Sequence, residues 1–137
     1  MSDKQILLVE DNPDDAKLTK RAFNKIIEEH EYSFQIATDG KQAIQHLKNK
    51  PTPRFILLDL KLPRIDGFEV MKFIRSYEPT KLVPVIVLTS STEENDRIRI
   101  YNLGANSYIQ KPVDYKTFLD VVQIISSYWI KLNENPT

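Results

Sequence analysis

Cysteine is absent from the 137 residues, which excludes a disulfide framework and any thiolate metal site. Glycine occurs only three times and never ahead of a Lys-Ser or Lys-Thr pair, so the phosphate-binding loop of the NTPases is excluded as well. There is no excess of charge of either sign. Nineteen basic and nineteen acidic side chains cancel, and no whole-molecule field draws the chain to nucleic acid or anionic lipid. No apolar run approaches the roughly 20 residues that cross a bilayer. The start, Met1-Ser2-Asp3-Lys4-Gln5, lacks the charged-then-apolar order of a secretion signal. Repeats and low-complexity stretches are missing too. These absences leave one soluble, cytoplasmic domain with neither a nucleic-acid nor a membrane partner. An apolar content of 41% is enough to give it a core.

What is present is a regular alternation. Ile6-Leu7-Leu8-Val9, Phe55-Ile56-Leu57-Leu58 and Val85-Ile86-Val87-Leu88 are short apolar runs without polar interruption, as expected of parallel strands buried on both faces. Tyr32-Ser33-Phe34-Gln35-Ile36 alternates like an edge strand, and Ser107-Tyr108-Ile109-Gln110 is a mixed fifth. Helical segments fill the gaps. The first spans residues 13–28, with Asn12 as N-cap, Pro13 at the first helical position and an inward stripe of Leu18, Ala22 and Ile26. Asp39-Gly40 opens the second, which ends before Pro51. The third begins near Gly67, and the fourth lies between Ser91-Thr92 and Gly104. The last carries Phe118, Val122, Ile125, Trp129 and Leu132 over about four turns. Strands alternating with helices imply right-handed crossovers and a doubly wound α/β sandwich. The domain is expected over residues 1–132, with 133–137 as a short loose tail.

In an open parallel sheet, ligands bind beyond the carboxyl ends of the strands. The first strand ends in Glu10-Asp11, the third in Asp59, the fourth in Thr89-Ser90, and the fifth leads to Lys111-Pro112. Each residue alone has an ordinary structural explanation. Acids after strands cap helices, hydroxyls begin turns, and a lone lysine is usually a solvated surface group. Together they bring three carboxylates, two hydroxyls and an ammonium to the one edge where the fold puts its ligands.

Clustered carboxylates repel unless a cation lies between them, and an all-oxygen set of this kind favours Mg2+. Phosphate is a natural second partner for that ion. A carboxylate can attack phosphorus to give an acyl phosphate. The charge on the transferred group then needs a metal, a cation and hydrogen-bond donors. Asp59 is the nucleophile best placed for this. Lys111 pairs with one phosphoryl oxygen, Thr89 donates to another, and Ser90 lies beside them.

The ordered set Glu10-Asp11, Asp59, Thr89 and Lys111-Pro112 resembles the receiver domains of bacterial response regulators, over residues 4–129. The resemblance implies a flavodoxin-like (βα)5 fold with strand order 2-1-3-4-5. It implies phosphorylation of Asp59 by a histidine kinase or a histidine phosphotransfer protein, in a signalling protein that is not an enzyme. It also implies Mg2+ bound by Asp11, Asp59 and the main-chain carbonyl of Lys61, with Glu10 acting through water. The Lys111-Pro112 peptide is expected to be cis. Val9-Glu10-Asp11-Asn12-Pro13-Asp14-Asp15, Leu57-Leu58-Asp59-Leu60-Lys61-Leu62-Pro63 and Tyr128-Trp129 are similar to the small regulators paired with bacterial and cyanobacterial phytochromes. Two positions depart from the family pattern. Ser90 stands where alanine or glycine is common, and Glu10 is one methylene longer than aspartate.

Signalling requires a two-state element. Tyr108 occupies the place of the family's switch aromatic, so Thr89 and Tyr108 are expected to move together. By itself a tyrosine there would be read as cover for the sheet edge. The last helix also carries Val121, Ile124 and Tyr128, more apolar width than one packed face needs. With the fourth helix it is expected to form a homodimer or partner surface. Arg97 and Arg99 are read as a solvated helix face. An aspartyl-phosphate phosphatase is disfavoured, because Lys61 stands where its acid-base aspartate would be. A degenerate receiver serving as a phosphorylation-independent docking module is the remaining alternative.

Overall fold

The computed structural model describes residues 5–30 and 32–136, the side chains of 26–30 excepted. Five strands, β1 (Gln5–Val9), β2 (Ser33–Ala37), β3 (Phe55–Leu58), β4 (Val85–Thr89) and β5 (Ser107–Gln110), alternate with five helices. The helices are α1 (Pro13–His30), α2 (Gly40–Asn49), α3 (Gly67–Ser76), α4 (Glu94–Asn102) and α5 (Tyr115–Ser126). The sheet is parallel throughout, in the order β2-β1-β3-β4-β5. This is the flavodoxin-like order expected from the resemblance. Chain order reverses between β1 and β3, which lie side by side, so the ends of those strands flank the crevice where such folds take ligands.

Between Gln5 at the start of β1 and Thr89 at the end of β4, the central strands carry only apolar residues, because both faces are covered. Leu7, Val9, Ile56, Leu58, Val85 and Val87 point to one face and pack with Ala43, Leu47, Val70, Met71, Ile74 and Ile100 from α2, α3 and α4. Ile6, Leu8, Phe55, Leu57, Ile86 and Leu88 point to the other and meet α1 and α5 through Ala22, Phe23, Phe118, Val122 and Ile125. Burying each such side chain contributes about 1.5–3 kcal/mol. Phe23 joins the layers, its ring 5.2 Å from Phe34 and 6.1 Å from Phe55. Of the stripe expected on α1, Ala22 is buried and Leu18 half-buried. Ile26 lies outside the residues whose side chains are described.

Local signals start the helices where the sequence places them. Asn12 Oδ1 accepts from the amides of Asp14 and Asp15 at 2.9 and 3.1 Å, and Asp39, Asp66 and Asp114 cap α2, α3 and α5 in the same way. Gly67 is required by proximity. A Cβ there would lie 2.4 Å from the carbonyl oxygen of Asp59, so only glycine lets α3 begin against the backbone of that residue.

The chain after α5 departs from expectation. Ser127–Leu132 is a π-helix, closed by an i→i+5 bond from the Asn133 amide to the Tyr128 carbonyl at 2.7 Å. The wider turn rotates later residues out of the α-helical stripe. Ile130 is therefore buried, and Leu132, expected in the core, is 69% exposed. Residues 133–135 are not loose. Arg54 donates to the carbonyls of Trp129 at 3.2 Å and Asn133 at 3.0 Å, and Asn135 Nδ2 donates to the Arg54 carbonyl at 2.8 Å. The guanidinium satisfies carbonyls that the end of a helix would otherwise leave open. Among the described residues no helix is long and apolar enough to cross a membrane.

Candidate functional site: an acidic crevice with one buried lysine

The ends of β1 and β3 lie side by side, and the parallel ladder runs past them. The Glu10 amide donates to the Ala37 carbonyl at 2.9 Å, and the Asp59 amide to the Val9 carbonyl at 3.1 Å. This places the expected acids in one crevice. Glu10, Asp11 and Asp59 each present a carboxylate oxygen, all within 4.8 Å of one another. Glu10 and Asp59 are buried and Asp11 is exposed, so the cluster opens to solvent on one side. Hard oxygen donors at this spacing suit a small divalent cation that keeps several waters.

Lys111 enters the same crevice from the end of β5. Its amide donates to the Thr89 carbonyl at 2.7 Å. Its Nζ donates to Glu10 Oε1, to Asp15 Oδ2 at 3.0 Å and to Asp59 Oδ2 at 3.2 Å. Burial disfavours the charged ammonium, but the carboxylates of Asp59, Glu10 and Asp15 outweigh it, and the pKa is raised. The pKa of Glu10 is raised too, which for a carboxylate favours the neutral form. Burial raises its pKa to about 7, further helped by the charge of Asp59, although Lys111 and the Asn12 amide pull it down.

Thr89 is buried and Ser90 exposed. The Ser91 amide donates to Thr89 Oγ1 at 3.3 Å, and the Tyr108 hydroxyl donates to the Ser91 carbonyl at 3.1 Å. Tyr108 is half-buried against the core, its ring 6.4 Å from that of Tyr101. Lys61 sits at the crevice rim, its amide 3.4 Å from Asp59 Oδ1 and its Nζ 3.8 Å from Asp96 Oδ2.

The expectation of a cis Lys111-Pro112 peptide is corrected, since no peptide bond among the described residues is cis. The trans isomer is the intrinsically preferred one by about 0.5–1 kcal/mol. With it, the Lys111 amide is bonded and all three ammonium protons find carboxylates. Arg99 is also more than a solvated cation, since its guanidinium lies 4.0 Å from the centre of the Phe68 ring.

Two participants escaped the sequence reading. Asp15 reads as an ordinary first-turn acid, and only its position four residues after Asp11 hints that it faces the same crevice. Asp96 accepts from Ser91 Oγ at 2.7 Å. Its partner lies in a loop, where no periodicity points to a contact.

The family model of the response regulator receiver domain matches residues 6–123. The chain belongs to that family. It is 38% identical over 136 residues to a probable methanogenesis regulatory protein, FilR2, of Methanothrix harundinacea, covering 96% of this chain and 86% of the relative. It is 39% identical over 134 residues to response regulator Rcp1 of Synechocystis, covering 93% and 90%. Among solved structures, the Mn2+-bound form of Rcp1 superposes with a TM-score of 0.89 at 37% identity, over 98% of this chain and 99% of that one. The phosphorylated cyanobacterial phytochrome response regulator RcpA gives 0.91 at 33% identity, with the same coverage. Family membership and the similarity to phytochrome-linked regulators, both expected from the residues, are borne out.

Proposed function

We propose that this receiver takes a phosphoryl group on Asp59 from a histidine kinase or a histidine phosphotransfer protein and passes the change on through its surface. The observation that carries the reading is Lys111 Nζ set between Glu10, Asp15 and Asp59, beside an acid cluster open to solvent. An Asp59 carboxylate oxygen attacks the phosphorus of a phosphohistidine. A P–O bond forms as the P–N bond breaks, and the imidazole nitrogen leaves with the electron pair. Mg2+, held by Asp11, Asp59 and the Lys61 carbonyl with Glu10 acting through water, would supply neutralisation of the charge on the phosphoryl oxygens. Rcp1 has been solved with Mn2+, and the donors here suit either ion. Lys111 binds a phosphoryl oxygen, Thr89 donates to another, and Ser90 borders the path of water to the acyl phosphate.

Thr89, drawn toward the new phosphate, pulls the Ser91 amide with it, and Tyr108 follows through the Ser91 carbonyl. The signal leaves at the face of α4 and α5, where Ile98, Tyr101, Ile124 and Tyr128 are exposed. A homodimer or partner docks there, and a phytochrome-type kinase is the donor suggested by the relatives.

Incubation with a small phosphodonor and Mg2+, followed by mass spectrometry, tests the reading. The wild type gains one phosphoryl group and Asp59→Asn gains none. No gain from either the small donor or a phosphorylated phosphotransfer domain would leave a docking module as the function.

A further inference from the structure

An ammonium has three protons and no more. Lys111 uses all three, on Glu10, Asp15 and Asp59, so none is free for a phosphoryl oxygen until a carboxylate lets go. The three acceptors differ in what else they must do. Glu10 and Asp59 belong to the cluster that could hold a metal, together with Asp11, and Asp15 is not in it. Asp59 is also the phosphoacceptor. Asp15 alone has no competing duty. Among the described residues its side chain makes no other hydrogen bond or ion pair, and it is 31% exposed against 10% for that of Lys111. Helix α1 fixes its place. Its amide is held by Asn12 Oδ1 at 3.1 Å, and its carbonyl accepts from Thr19 Oγ1 at 2.7 Å.

We propose that Asp15 is a positioning residue, the carboxylate that keeps hold of the Lys111 ammonium while Glu10 is released to the metal and Asp59 to the phosphoryl group. Without Asp15, Lys111 has only the two metal-facing carboxylates and competes with the cation for both. With it, the ammonium stays poised at the crevice wall, one proton on Asp15 and two available to the incoming phosphoryl oxygens. This rests on the phosphoacceptor reading of Asp59.

The test needs no phosphodonor, so the two readings fail separately. Mn2+ or Mg2+ is titrated calorimetrically into wild type, Asp15→Asn and Asp15→Glu, each also in a Lys111→Met background. Asp15→Asn keeps both main-chain bonds of residue 15. It is expected to weaken metal affinity by roughly fivefold, the scale of a partly exposed ion pair. Asp15→Glu restores most of the loss. In Lys111→Met, where Glu10 is free from the outset, Asp15→Asn is expected to be silent. Equal weakening in both backgrounds would mean that Asp15 acts only as a distant negative charge, and the proposal fails. No weakening with Lys111 present also overturns it. Should Lys111→Met not fold, 15N NMR of the Lys111 ammonium decides. Its protons stay protected at saturating metal in wild type and exchange faster in Asp15→Asn, whereas equal protection sinks the idea.

Discussion

The Tyr108 hydroxyl donates to the main-chain carbonyl of Ser91 at 3.1 Å, two residues beyond Thr89. Ser91 is thereby a junction. Its amide reaches Thr89 Oγ1 at 3.3 Å, its hydroxyl donates to Asp96 Oδ2 at 2.7 Å, and it accepts from the Glu93 amide at 3.3 Å. The contact to Thr89 is at the long end of hydrogen-bond geometry, so the threonine can leave it at little cost. The contact to Asp96 is short and charge-assisted, which makes it the firmer of the two. Thr89, Tyr108 and Asp96 of α4 thus all hydrogen-bond the same residue.

Thr89→Ala should uncouple the acceptor from the aromatic. Beryllofluoride with Mg2+ is expected to shift the Tyr108 ring resonances in wild type and to leave them unmoved in the variant, although Asp59 still takes up the mimic. NMR of selectively labelled tyrosine reads both states. Tyr108→Phe removes one neutral hydrogen bond and should cost about 0.5–1.5 kcal/mol by denaturation.

Glu10→Gln should stabilise the metal-free domain, and more so at alkaline than at acid pH. A carboxylate whose folded pKa is raised holds its proton more tightly folded than unfolded. Its charge therefore costs stability as pH rises from 4.5 through about 7. Glutamine removes that cost while Lys111 keeps Asp15 and Asp59. A gain of about 1–2 kcal/mol at pH 8, discounted for solvent reaching the crevice, should shrink toward zero at pH 4.5. Urea titrations at the two pH values measure it, with EDTA present. Mg2+ affinity of the same variant should fall.

Much of this was legible in the residues. The uninterrupted run Phe55-Ile56-Leu57-Leu58 coincides with β3 because a strand covered on both faces has no polar position to misread. Glu10, Asp11, Asp59 and Lys111 were locatable because a parallel sheet sends every strand end to one side. What escaped depends on partners with no side-chain signature. Arg75 donates to the main-chain carbonyls of Lys81, Val83 and Gly104 and to Asn106 Oδ1, and carbonyls are the same for every residue. The π-turn that exposes Leu132 and buries Ile130 keeps the apolar pattern of an α-helix, so its wider turn leaves no periodic trace.

Arg75 yields a strong stability prediction. It fastens the end of α3 to the entry of β4 and to the turn before β5, at distances from 2.7 to 3.2 Å. Burial lowers its pKa, but a guanidinium stays charged at neutral pH. Arg75→Met would strip these carbonyls of a partner, some of them part-buried, and should cost about 2–4 kcal/mol. Arg75→Lys should recover little, because one ammonium cannot span four acceptors on two segments. Chemical denaturation of the three proteins checks both statements, and equal stability of Arg75→Lys and wild type would contradict the second.

The loop between β3 and α3 supports opposite predictions at two neighbouring positions. Gly40, at the start of α2, lies so close to this loop that a Cβ on it would stand 1.8 Å from the Ile65 carbonyl oxygen. Backbone on both sides leaves nothing to rotate away, so Gly40→Ala should cost about 2–4 kcal/mol or prevent folding. Arg64, next to Ile65, has φ of 69°, a left-handed conformation that disfavours any side chain with a Cβ by roughly 1 kcal/mol. Among the described residues its one charge contact is to Asp39 at 3.7 Å, with the Arg64 side chain 64% exposed, and a pair so placed contributes little. Arg64→Gly should then stabilise the domain by up to about 1 kcal/mol, less the extra chain entropy that glycine brings to the unfolded state. Thermal unfolding of both variants decides it. A loss of stability in Arg64→Gly would mean that the contact with Asp39 outweighs the backbone strain.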